Sequence, residues 1–256
     1  MLSTRLLGIC AFSVLFFLYF PLFVVVLYSF NGDSVNSFPM NSFSLQWYEA
    51  VFENTALIQS LMNSVKVAII STIIAACLGI PGAFAMHRYH FFGKEFLERI
   101  VILPMILPGI LTGVALLSFF QELGIQQSMP AVVLGHGTFL IGIILPQIYA
   151  RLKRLDHSIE EASADLGATK FQTFIYVILP NIKTALIGSA LLSFTLSLDE
   201  IPVTFFLNGV FTTLPIEIWS MTRSGITPEV NAISSLVFVF SLVLIIISTM
   251  LTSKED

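Results

Sequence analysis

Charge is what this sequence has least of. Only 11% of its 256 residues are Asp, Glu, Lys or Arg, while 56% are hydrophobic, and soluble domains carry roughly a quarter charged residues. With a mean hydropathy of +0.90, a water-soluble globular class is excluded and a membrane protein is indicated. Polar low-complexity tracts are missing as well, so neither a flexible linker nor a soluble appendage is expected, and residues 1–256 read as one membrane-embedded domain. Cysteine is scarce: Cys10 and Cys77 sit inside apolar runs, where a thiol acts as a small hydrophobe. No His/Cys cluster has zinc spacing, no GxxxxGK[ST] phosphate loop occurs, and no nucleophile stands beside a plausible base. The expectations are no metal site, no cofactor in this chain, no catalytic residues, and no ATP hydrolysis by the chain itself.

Long apolar runs are present instead. A helix needs about 20 residues to cross the hydrocarbon core. Six runs qualify: Leu7 to Phe30, Val65 to Met86, Ile100 to Phe120, Ala131 to Ala150, Thr184 to Leu207 and Asn231 to Thr252, the third and fourth with interruptions. The fold class is therefore all-α, a polytopic membrane protein of six transmembrane helices. The first run follows Arg5 as a signal peptide's would, but it exceeds the roughly 7–15 residues of such a run and lacks a small-x-small cleavage site. A retained first helix is expected.

The basic residues set an orientation, because cytoplasmic flanks retain Lys and Arg. Arg5, Arg88, Lys94, Arg99, Arg151, Lys153, Arg154, Lys170, Lys183 and Lys254 fall on one side. Arg223 lies in an opposite loop and Lys66 at a helix edge. Both termini are expected in the cytoplasm. The net charge of −4 says nothing about nucleic acid here, since topology follows where the basic residues sit.

Asn31 to Asn63 is the longest external piece. Its LQWYEAVFENTALIQSL places Leu45, Tyr48 and Phe52 at helical spacing with Trp47 alongside. An interfacial helix is expected, since Trp and Tyr favour the headgroup level; it reads as an anchor or as a substrate contact. Small residues recur at four-residue spacing in Ala75, Gly79 and Ala83, in Gly109 and Gly113, and in Ala185, Ser189, Ser193 and Ser197. In lipid that pattern lets helices approach closely.

The fifth run carries two acids. Asp199 and Glu200 lie about 15 residues past Thr184, or roughly 22 Å at 1.5 Å per residue, which puts them in the outer third of the membrane. Ionisable residues at such depth point to function by default. Ile187, Leu191, Phe194, Leu198, Ile201 and Phe205 form one apolar face and the acids flank the other, so the acids should face the interior or a cavity. Pro202 frees the carbonyl of Leu198, so a kink is expected there. The acids read either as part of a substrate path or as a structural anchor. His136, in VLGHGTF, enters the fourth run at a similar depth and is expected either to pair with one of the acids or to serve in packing.

Between two of these runs lies EEASADLGATKFQTFIYVILP, Glu160 to Pro180. Ser158 with Glu161 and Thr169 with Gln172 each have the capping-box spacing. Gly167 between them suits the left-handed residue that ends a helix. Helix, tight turn, helix is expected, and a rigid elbow on a membrane protein suggests a docking element.

Glu161, Ala162, Ser163, Gly167, Leu179 and Pro180 resemble the EAA motif of binding-protein-dependent ABC importer permeases: EAA, three residues, Gly, nine residues, then I-x-LP. Ser163 replaces the second Ala and Val177 stands in the Ile position. Beyond the motif, YSFN at Tyr28 to Asn31, FTLSLDEIPVTFF at Phe194 to Phe206, LPIEIWSM at Leu214 to Met221 and TPEVNA at Thr227 to Ala232 are similar to the spermidine/putrescine branch of that family.

The resemblance implies a MetI-like permease in a bacterial inner membrane, with a second homologous permease half as a heterodimer. It also implies two ATPase subunits carrying ATP and Mg, and an extracytoplasmic solute-binding protein. A coupling loop at about 156–182 would contact the ATPase through Glu161, Ala162, Ser163, Asp165, Gly167, Leu179 and Pro180. Asp199 and Glu200 would line half of the path for a small cation, spermidine or putrescine. One departure stands out: such permeases can carry an acid just after the proline of the third run, where this chain has Gly109. The alternatives are another solute of the branch, such as an opine, a phosphonate or an amine, or an ion-coupled secondary carrier. The last usually shows internal repeats, and none is visible here.

Overall fold

A computed structural model describes residues 2–225 and 227–252, with the side chains of residues 2–5, 157, 224 and 244–252 excepted. Lys254 lies outside the described residues, as does the side chain of Arg5. The regular elements among the described residues are helices: α1 (Leu2–Tyr28), α2 (Gln46–Glu53), α3 (Thr55–Arg88), α4 (Lys94–Ile100), α5 (Leu103–Ile106), α6 (Gly109–Glu122), α7 (Met129–Lys153), α8 (His157–Asp165), α9 (Lys170–Thr173), a π-helical turn (Phe174–Ile178), α10 (Leu179–Leu198), α11 (Pro202–Leu207), α12 (Leu214–Ser224) and α13 (Pro228–Thr252). Four of them are long and apolar enough to cross a membrane, five if the bent pair formed by Lys94–Ile106 and Gly109–Glu122 is one span; residues Pro228–Val243 of α13 are a further apolar stretch.

The helix ends differ from the sequence expectation in three places. The second run begins ten residues earlier, at Thr55, so the connecting piece expected over Asn31 to Asn63 ends at Asn54. The Asn54 side chain accepts from the N–H groups of Ala56 and Leu57 at 3.1 and 3.2 Å and starts α3. The third run is not one helix. Leu107, extended because it precedes a proline, and Pro108 turn the chain through 104° between α5 and α6. The fifth run breaks outright after Leu198, and Pro202 opens α11 at its first position. Proline suits that position because the missing N–H would have had no partner there. Pro21, Pro81 and Pro146 stay inside continuous helices, which membrane helices tolerate.

The chain divides into two compact units. One comprises residues 1–59 and 217–256, in which α13 packs on α1 and α2. Its polar fastenings sit around the expected interfacial helix α2. The Tyr48 hydroxyl lies 2.6 Å from Ser29 Oγ, Trp47 Nε1 donates to the Asn31 carbonyl at 2.7 Å, and Asn54 Nδ2 donates to Glu229 Oε1 at 2.9 Å. The outward side chains of α1, Phe12 and Phe17 among them, are exposed, as expected of a helix facing lipid.

The other unit, residues 60–216, is built around α7. Its Leu140, Ile144, Ile148 and Leu152 are fully buried. On one side they meet Ala75, Ala83 and Met86 of α3, and on another Ile178 of the π-helical turn and Ile182 of α10. The small-residue stripes are the contact lines. A Cβ on Gly79 would stand 3.2 Å from Ile144, one on Gly142 would stand 2.7 Å from the Val101 carbonyl oxygen, and one on Gly113 would stand 2.6 Å from the Phe206 ring. Ser189, Ser193 and Ser197 are buried along α10, while Ile187 and Phe205 of the apolar face are exposed.

Candidate functional site

The break between α10 and α11 holds the two acids. Leu198 is the last helical residue, Asp199 and Ile201 are non-repeating, and Pro202 restarts the helix. The freed donors and acceptors find local partners. The Val203 N–H donates to Glu200 Oε1 at 3.0 Å, the Thr204 hydroxyl donates to the Glu200 carbonyl at 2.8 Å, and the Phe205 N–H donates to the Ile201 carbonyl at 2.8 Å. Glu200 thus caps the helix that follows it, and a carboxylate is favoured at such an end.

Glu200 also faces a cavity of about 290 Å³ lined by residues of α5, α6, α7, α10 and α11, among them Met105, Thr112, Phe139 and Leu196. The lining is mostly apolar, and Glu200 is its single ionisable residue. Thr112 adds a buried hydroxyl without a hydrogen-bond partner. Asp199 behaves differently: it is exposed and is absent from that lining. Gly109 belongs to the wall too. A Cβ there would lie 2.9 Å from Pro202 Cβ and 3.6 Å from Glu200 Oε1, so glycine at 109 is what lets α6 lie against the restart of α11.

His136 pairs with neither acid. It is buried in α7, with Nδ1 2.7 Å from Ser197 Oγ and Nε2 2.8 Å from Thr204 Oγ1. Ser197 is the last member of a stripe legible as helix contact; Thr204 was not singled out, because only the break brings it to the same ring.

The elbow forms as a helix, a glycine turn and a second helix, with one cap differently made. Asp156, not Ser158, caps α8, accepting from the Ser158 N–H at 3.0 Å. Asp156 sits where its side chain reaches the second N–H of the helix, and Ser158 is already inside. Gly167, at φ +82°, closes α8. Its N–H meets the Ala164 carbonyl at 2.9 Å and the Ala168 N–H meets Ser163's at 3.1 Å, the paired bonds of a Schellman ending. Thr169 and Gln172 then make the full capping box of α9.

Ser163, one of the two departures from the motif, is buried and lies 3.0 Å from the Thr173 hydroxyl across the elbow. Arg88 Nη2 at the end of α3 binds Glu160 Oε2 at 2.6 Å, and the Phe84 ring meets Phe174 edge-on with centroids 5.4 Å apart. Leu179 and Pro180 begin α10 directly after the π-helical turn. Glu161, Ala162 and Asp165 are exposed on α8, and Leu166, Phe171 and Tyr176 offer apolar surface, 89%, 73% and 76% exposed. Sequence reading did not single out those three, nor a cluster in which the Tyr149 hydroxyl donates to Glu98 while Lys153 Nζ sits 4.2 Å from the Tyr149 ring centroid.

Several apolar helices, one broken at a carboxylate beside a cavity, mark a multi-pass membrane protein. The chain belongs to the binding-protein-dependent transport system inner membrane components, whose family model matches residues 75–254. It is 36% identical over 246 residues to the spermidine/putrescine transport system permease protein PotC of Haemophilus influenzae, covering 96% of this chain and 95% of that protein. It is 35% identical over 229 residues to the putrescine transport system permease protein PotI of Escherichia coli, covering 86% and 81%. Among solved structures it superimposes with a TM-score of 0.71 on a chain of a bacterial ABC transporter involved in the import of the acidic polysaccharide alginate, at 17% identity over 99% of this chain and 97% of that one. The fold is shared with that transporter.

Proposed function

We propose that this protein is the permease subunit of an ATP-driven importer for polyamines, spermidine or putrescine, and supplies half of the translocation path. The observation that carries the solute reading is the 35% to 36% identity, over 86% to 96% of this chain, to permeases named for those two solutes. The site supports a cation. Glu200 stands alone as the ionisable residue of a cavity otherwise lined mainly by apolar groups, and a charge in a cleft with low-dielectric walls focuses its field on a passing counter-ion. Asp199, exposed beside it, adds negative potential at the surface where a second chain would complete the path.

Coupling runs through the elbow. In this reading two ATPase subunits, which bind ATP and Mg, grip the region 156–182. Exposed Glu161, Ala162, Asp165 and Leu166 make the contact; Gly167 and the Ser163–Thr173 bond hold its shape; Leu179 and Pro180 pass movement straight into α10. A second, different permease subunit forms the other half, and an extracytoplasmic binding protein delivers the solute. The basic residues at the elbow end, Arg88, Arg151, Lys153 and Lys170 among them, support a reading in which that end and both termini lie in the cytoplasm of a bacterial inner membrane, with residues 1–256 acting as one permease domain.

Gly109 leaves the partner subunit to supply the acid that other polyamine permeases can carry there. The test is ATP-dependent uptake of labelled spermidine and putrescine by the full complex in vesicles. Uptake of either supports the reading. Uptake of neither, with uptake of an opine or a phosphonate, replaces the solute, and uptake without any ATPase subunit points to a secondary carrier.

A further inference from the structure

One side chain of α7 bonds to both ends of the break at residues 199–201. His136 reaches both ends of it: Ser197, the last turn of α10, at 2.7 Å, and Thr204, the first turn of α11, at 2.8 Å. All three residues are buried, with relative exposures of 1%, 3% and 0%. The two helices come close at Gly135, where a Cβ would lie 2.5 Å from Leu207 Cδ1 and 3.0 Å from Val203 Cγ1. A larger residue there would have to push the Leu207 and Val203 side chains aside.

The proton positions follow from the neighbours. The Thr204 hydroxyl gives its hydrogen to the Glu200 carbonyl at 2.8 Å. It therefore accepts from His136 and takes the Nε2 proton. Nδ1 is then the acceptor for the Ser197 hydroxyl, and the ring works as a neutral imidazole with one donor and one acceptor. The chain of bonds runs from Ser197 through His136 and Thr204 to the backbone of Glu200.

We propose that His136 is a positioning residue, which clips the two halves of the broken span to α7 and so fixes where the Glu200 carboxylate stands in the cavity. This rests on reading Glu200 as part of the solute path. Glu200's own bond to the Val203 N–H ties it only to α11, and the Gln127 amide and Ser128 N–H hold the far end of α11 through the Phe206 and Leu207 carbonyls, so neither links α10 to α11. Through Thr204 and Ser197, His136 ties both helices to the most buried helix of the unit. Any movement of α10 that enters from the elbow must then either carry α11 and Glu200 along or break the clip.

The test reads position first. In a complex whose permease carries Cys10→Ser and Cys77→Ser, both native thiols being free and exposed, Glu200→Cys is labelled with a small cationic methanethiosulfonate and followed by the mass of this subunit. His136→Leu and Thr204→Val should each speed labelling roughly three- to tenfold, the size of one or two lost hydrogen bonds, and His136→Gln, which keeps an N–H, should return most of the way to the parent rate. Thr204→Val conserves shape and carries the test if the leucine variant fails to assemble. Labelling as slow as in the parent, or slower, in Thr204→Val overturns the proposal whatever the solute is.

Uptake gives the second readout. With Glu200 present, Thr204→Val should raise the polyamine concentration for half-maximal uptake several-fold. In a Glu200→Gln background it should add nothing. Equal losses in both backgrounds mean a general structural role and overturn the proposal. A complex that imports no polyamine at all refutes the solute reading, while the labelling rates still decide the role of His136.

Discussion

Ser163 Oγ and Thr173 Oγ1 lie 3.0 Å apart, buried in the bend of the elbow, at the position where the motif's usual alanine would leave the threonine without a partner. A buried hydroxyl stripped of its partner costs about 1–3 kcal/mol, whereas replacing both partners by apolar groups of like shape is close to neutral. Ser163→Ala should therefore lower the melting temperature of the purified complex, and Ser163→Ala with Thr173→Val should recover most of the loss. Equal destabilisation by the single and double variants would show that the bond contributes nothing.

Gly167 is the one residue of the elbow with positive φ, at +82°. Forcing an L side chain into the left-handed region costs roughly 1–2 kcal/mol, and a β-branched one more. Gly167→Val should remove ATP-dependent uptake while leaving the amount of protein in the membrane unchanged. Normal uptake would remove the elbow from the coupling account.

Two glycines in helices should respond in opposite ways. At Gly142 a methyl would lie 2.7 Å from the backbone oxygen of Val101, while at Gly188 nothing lies within 4 Å. A backbone atom cannot turn aside as a side chain can, so Gly142→Ala should cost about 1–3 kcal/mol. Gly188→Ala should gain up to about 1 kcal/mol from helix propensity alone. Thermal unfolding of the detergent-solubilised complex checks both; the same sign for the two variants contradicts the packing described for α7.

The Arg88–Glu160 pair, at 2.6 Å with side chains 37% and 13% exposed, joins α3 to α8. Partly exposed pairs are worth about 0.2–1 kcal/mol. A double-mutant cycle with Arg88→Met and Glu160→Gln should give a coupling energy in that range, falling as salt is raised. A coupling indistinguishable from zero at low salt would leave Phe84 and Phe174 as what fastens this part of the elbow.

Much of this architecture is legible in the residues because membrane helices and caps are local matters. Apolar length marks the spans, Gly167 and the Thr169–Gln172 spacing mark the elbow, and Pro202 marks the disturbed fifth run. What was not legible depends on which of two local solutions wins. Pro202 permits either a kinked helix or a fresh start, and the capping of α11 by Glu200 favours the start. Pro108 permits a tolerated kink, as Pro81 and Pro146 do, yet here it turns the chain through 104°. Asp156 and Ser158 both suit a cap, and a shift of two residues in where the helix starts decides between them. The site escaped for a different reason. His136, Ser197 and Thr204 share no spacing, and they meet only because the break after Leu198 brings Thr204 of α11 to the same ring of α7 as Ser197.

The central claim is that Glu200 presents its charge to the passing solute. Its most direct measurement is ATP-dependent uptake of labelled spermidine and putrescine by the complete complex in sealed vesicles, comparing the parent with Glu200→Gln and Asp199→Asn. The account predicts a loss of uptake with Glu200→Gln that is larger than with Asp199→Asn, since only Glu200 lines the cavity. Uptake by Glu200→Gln equal to the parent's would contradict it and leave the acid as no more than the cap of α11.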